Sequence, residues 1–153
     1  MKIVMEFEVN VTVRSLEGEA SALLKGLGIK KCFINDDVLP SLIALPRPAD
    51  GSTVKLVVFQ LEYRDMKDED VLAEIKKRGL VSSPWVQFEL NRQQPNFSKK
   101  HPNCSVWTDE VGDVCCLTFE QMQKPVVCLN FDRSGWSPYW WVCGVKLPAT
   151  QTQ

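Results

Sequence analysis

Three groups of side chains in this 153-residue chain have the types and spacing for chemistry, beginning with its single histidine. His101 stands in "KKHPNC", three residues before Cys104, with Cys115 and Cys116 further on. His-x-x-Cys is half of a zinc site, and a histidine beside a thiol is also a base beside a nucleophile. Both readings lack their remaining parts. No paired Cys-x-x-Cys knuckle is present, and adjacent residues such as Cys115 and Cys116 point to opposite faces of a strand, so at most one would join a site. A solvent-exposed loop histidine accounts for the segment more simply, and no metal is expected.

Carboxylates form the second group. Asp36 and Asp37 in "INDDVLP" have the composition of a cation site or an acid–base pair, but a capped turn needs the same residues. Asp109, Glu110 and Asp113 in "DEVGD" read as hairpin-turn residues by the same argument. The chain contains no Gly-x-Ser-x-Gly, no P-loop and no Gly-x-Gly-x-x-Gly, which weakens the hydrolase, NTPase and dinucleotide readings. No catalytic residue and no cofactor are assigned.

The third group is aromatic. "DRSGWSPYWWVCGVKL" holds three of the five tryptophans and a tyrosine. Strand alternation puts Tyr139, Trp141, Cys143, Val145 and Leu147 on one face, and Trp140, Val142, Gly144 and Lys146 on the other. Trp141 is thereby a core residue, while Trp136 in the turn and Trp140 on the second face are left as binding candidates. Gly144 leaves a space beside Trp140 for a side chain, a ligand or a partner. Asp132, Arg133 and His101 are the polar candidates to stand with them.

The elements that would position these residues follow from periodicity. Residues 1–14 alternate apolar and polar, the pattern of a long strand with one solvated face. Residues 15–28 switch to helical period with Ser15 as N-cap and Gly26 or Gly28 as terminator. "TVKLVVFQLEY" is apolar on both faces and reads as a central strand. "DMKDEDVLAEIKKRGL" is a helix with acids in its first turn, Lys76, Lys77 and Arg78 in its last, and Gly79 after it. "SSPWVQFELNRQQ" is a further helix, started at Ser83-Pro84 and stopped by Pro95. "NFSKKHPNC" reads as polar loop, and three strands close the chain around 114–119, 126–131 and 139–147. Strands and helices in this order imply an α+β fold: a mainly antiparallel sheet with about three helices in a single domain, residues 1–147, followed by a flexible tail, 148–153.

Bulk properties narrow the role. Net charge is −1, without the basic excess that nucleic-acid binding uses. No apolar run approaches the roughly 20 residues that span a bilayer, and no secretory leader is visible, so a soluble cytoplasmic protein is expected, with no membrane partner. The six cysteines are read as reduced, buried thiols.

The segments "VKLVVFQLEYRDMKDEDVLAEIKKRGL", "SVWTDEVGD" and "LNFDRSGWSPYWWVCGVKL" together resemble a group of short hypothetical proteins from bacterial genomes. That pattern has a Val-Leu-Ala-Glu-(Leu/Ile)-x-x-Arg-Gly-Leu helix, a second helix, a Ser-Val-Trp strand and a Trp-containing final strand, spanning residues 54–147 here. The resemblance implies a shared fold and carries no activity. This chain departs from it in "SSPWVQFEL", where a Thr-Leu-Glu-Glu-Leu opening is usual, and in "WWVCGVKL", where an Arg-Phe pair and a more basic ending are usual.

These readings favour a non-enzymatic binding or protein-interaction module, with another protein or a second copy as partner and tryptophan and tyrosine side chains as contacts. Trp85, Trp107, Trp136, Tyr139 and Trp140 are the aromatic candidates. The alternative is a small enzyme or ligand-binding protein with a Trp-lined pocket near His101, Asp132 and Arg133.

Overall fold

The computed structural model describes residues 5–13, 31–121, 125–131 and 135–146. The expected first helix, the tail, Asp132 and Arg133 lie outside these residues.

β1 (Glu6–Thr12) carries the predicted alternation, and its apolar face becomes buried along its length. Met5 just before it is 63% exposed, whereas Val11 and Val13 are fully covered. β3 (Thr53–Gln60) pairs with β1 on one side and β8 (Trp141–Lys146) on the other, both antiparallel. Both of its faces are apolar because both are packed: Leu56 and Val58 enter one core cluster, Val57 and Phe59 another.

The remaining strands are β2 (Lys31–Ile34), β4 (Leu80–Val81), β5 (Asn103–Thr108), β6 (Val114–Gln121) and β7 (Pro125–Phe131). They complete one sheet of eight strands among the described residues, in the order β1-β3-β8-β5-β6-β7-β2, with β4 also paired to β8. The fold is α+β, but the sheet is mixed rather than uniformly antiparallel. β2 runs parallel to β7, and β5 parallel to β8. The β5–β8 pairing covers only Asn103–Trp141 and Cys104–Val142, after which β4 takes β5's place beside β8. Ser82 then closes the divide by donating from its hydroxyl to the Val106 carbonyl.

Four helices are described where about three were expected: α1 (Leu39–Ala44), α2 (Asp68–Lys77), α3 (Pro84–Gln93) and α4 (Phe97–Lys100). α1 and α4 are too short for apolar periodicity to mark them. α2 packs Val71 and Ile75 on the sheet face that carries Phe59, Val106 and Val142. α3 covers the opposite face, placing Trp85 and Phe88 in one cluster and Val86 and Leu90 in its neighbour. Every residue of α3 from Pro84 to Asn91 is buried, polar ones included. Among the described residues, no helix is long and apolar enough to cross a membrane.

Gly144 shows how close this packing is. A Cβ there would lie 2.8 Å from Leu80 Cβ, so the space beside Trp140 is taken by the β4 side chain. The turns use the expected chemistry. Asn35 Oδ1 accepts the Asp37 N–H at 2.9 Å, and Asp109 Oδ1 accepts those of Val111 and Asp113 at 3.0 and 2.9 Å.

Candidate functional site

The sheet separates the residues that the sequence suggested as one site. Trp136 and Trp140 stack edge-to-face, 5.5 Å apart, in the cluster beneath α2, and are 1% and 8% exposed. Trp136 Nε1 donates to the buried Asp68 at 2.5 Å, which ties the 135–140 segment to the start of α2. That is a structural anchor. Trp85 and Trp107 are also buried, Trp85 under the Arg47 guanidinium and Trp107 bonded to Ser41 Oγ. Tyr139, 44% exposed, is the one aromatic of the expected set that reaches the surface.

His101 belongs to the other face. Its ring lies 4.6 Å from Trp141 and 5.1 Å from both Phe7 and Phe97. Cys104 points away from this group into the cluster beneath α2, so the His-x-x-Cys spacing does not become a pair in space. No group of three or more histidine, cysteine, aspartate or glutamate side chains is placed to hold a metal among the described residues. Burial, assisted by the Lys100 charge, moves the His101 imidazole below its ordinary value. Its Nδ1 is buried without a hydrogen-bond partner. Burial likewise pushes the Cys115 and Cys143 thiols upward, away from nucleophilic ionisation.

Trp141 leads to the feature that the sequence did not reveal. It opens β8 at the end of the sheet where β5 also begins and where β3 and β6 finish, paired with Gln60 on one side and Asn103 on the other. Pairing and alternation place Gln60, Gln121 and Trp141 on the same face. These three, with Lys99, Lys100, Pro102, Pro138 and Tyr139, line an open cleft of about 600 Å³. That volume is within the range of small-molecule sites. Lys99 and Lys100 are the only charged groups among the eight. A smaller depression of about 390 Å³, which includes Phe97 and His101, shares Lys100 with the cleft.

The cleft walls are held from behind. Trp141 N–H donates to the Pro102 carbonyl at 2.8 Å, and Gln60 Nε2 to the Pro138 carbonyl at 2.8 Å. The His101 carbonyl accepts from Asn103 Nδ2 at 2.9 Å, and Asn103 is itself part of a buried amide cluster. Gln87 and Asn91 donate to Asn103 Oδ1 at 3.0 and 2.8 Å, and Asn103 Nδ2 also donates to Asn91 Oδ1 at 3.1 Å. Two residues of α3 thus fix the entry to β5. Each such bond contributes about 1 kcal/mol, and orphaning a buried member costs about 1–3 kcal/mol.

One cleft group is unmatched. Gln121 Oε1 is buried and has no hydrogen-bond partner. Tyr139 directs its hydroxyl to Glu120 Oε2 at 3.1 Å, and Glu120 is not part of the cleft wall. The cleft therefore combines a flat apolar wall, two cations at its edge and an acceptor lacking a donor. No protein-family model, curated protein or solved structure matches the chain.

Proposed function

We propose that the protein is a non-enzymatic binding module whose ligand is a small molecule held in the cleft against Trp141. The observation that carries this reading is the cleft itself, in which Tyr139, Pro138 and the exposed part of Trp141 meet Lys99 and Lys100, both of them exposed. A concave opening of this size that joins apolar surface to a few polar groups has the make-up of a ligand site. Binding is favoured over catalysis because the nearest histidine is packed among three aromatic rings, and the thiols of Cys115 and Cys143 are shifted away from reactivity.

Recognition of another protein or of a second copy through tryptophan hot spots has less support, since Trp85, Trp107, Trp136 and Trp140 lie within the core clusters and Trp141, 7% exposed, reaches the surface only in the cleft wall. The alternative expectation, a Trp-lined pocket near His101, Asp132 and Arg133, is kept in changed form, with Trp141, Lys99 and Lys100 as the cleft residues. A cytoplasmic location is part of the proposal, as is a fold shared with the short bacterial proteins.

Crystals soaked with a mixture of small fragments test the reading. It requires bound fragments to gather in the cleft over Trp141. Fragments that gather only elsewhere, or a cleft that stays empty under all of them, would overturn it.

A further inference from the structure

Resting on the cleft reading above, we infer that the ligand is an amphipathic anion: an apolar body carrying a carboxylate or phosphate at one end. Each part answers a different cleft group. Tyr139 and Pro138, with the small exposed part of Trp141, supply the apolar part of the wall. Lys99 and Lys100 end the one-turn helix α4 at the cleft edge, and no carboxylate lines the cleft among the described residues. Two ammonium groups beside one opening select a negative ligand group over a neutral or positive one.

Gln60 uses its Nε2 on the Pro138 carbonyl, which orients its amide and fixes the wall opposite. The Lys pair therefore sets the sign of the ligand's charge.

Matched probes separate these claims. Indole carboxylate with indole carboxamide, and naphthoate with naphthamide, are titrated by calorimetry into the native chain, with Trp141 indole N–H shifts recorded alongside. The carboxylates should bind about ten-fold more tightly than their amides, and Lys99→Gln/Lys100→Gln should remove that preference without weakening the amides. Equal binding of acid and amide, or an undiminished acid preference in the lysine double variant, would overturn the anion assignment while leaving the cleft standing. No shift of the Trp141 indole with any probe would remove the cleft reading together with this one. Both lysines are exposed, so the double variant leaves the folded core untouched.

Discussion

His101 presents its imidazole to the indole of Trp141 with ring centroids 4.6 Å apart and planes at 77°. The chain's only histidine therefore reports on the wall that separates the cleft from the interior. Burial and then the Lys100 charge hold its pKa below the ordinary value. In the unfolded chain the value reverts to about 6.5, so on acidification the unfolded state takes up the proton first. The histidine's contribution is fully present above about pH 6.5 and is lost as pH falls through the lower folded value. An NMR titration should find one imidazole with a pKa below that of a free peptide. His101→Phe removes a buried Nδ1 that bonds to nothing, so it should leave neutral-pH stability intact and flatten its acid decline. A wild-type imidazole that titrates above the peptide value would refute the placement.

Leu80 and Gly144 face each other across the β4–β8 pairing with no room for a methyl group between them. Gly144→Ala should cost about 1–3 kcal/mol in urea unfolding through overpacking. Adding Leu80→Gly should recover part of that loss in a double-mutant cycle, because the nearest clash is with the Leu80 Cβ, which an alanine would retain. Strict additivity of the two changes would contradict the contact.

Asp68 and Trp136 form the bond that ties the 135–140 segment to α2. Asp68→Ala orphans a buried indole N–H and should cost about 1–3 kcal/mol. Asp68→Asn keeps an acceptor and should cost less. Both variants act beneath α2, so the Trp141 indole resonance should stay in place while that of Trp136 moves.

What the sequence made legible was what repeats. The alternation of β1, the two-sided apolar character of β3 and the charge-loaded ends of α2 all follow from periodicity, and each occupies the corresponding place. Trp141 is also assigned to the core by alternation, and it is buried. The parallel β5–β8 contact was not legible, because two paired residues leave no compositional trace. α4 escaped for a similar reason: a single helical turn in "NFSKK" is too short to show a period. The cleft was hidden more deeply. Gln60, Lys99, Gln121 and Trp141 lie far apart along the chain, and only the sheet order brings them together. Trp136 and Trp140 misled because a tryptophan in a turn or on a second strand face looks available until another layer covers it.

The amide cluster behind the cleft was also invisible in sequence, since Gln87 and Asn91 sit on a helix whose polar residues would ordinarily face water. Asn103→Leu would leave Asn91 Oδ1 without its donor and release the His101 carbonyl, while Gln87 Nε2 and Asn91 Nδ2 keep the Leu117 and Gln87 carbonyls. Its expected cost is about 1–3 kcal/mol, from a buried acceptor left unpaired. Hydrogen exchange should rise at residues 101–103 before it rises in β3. Unchanged stability would show that the cluster is not holding the entry to β5.

The most direct test of the central claim follows the five tryptophan indole N–H resonances of the nitrogen-labelled protein while a small-molecule fragment set is added. A binding cleft over Trp141 predicts that active fragments shift the Trp141 signal and leave those of Trp85, Trp107 and Trp136 where they were. Fragments that bind yet move only the other indoles, or a full set that moves none, would contradict it.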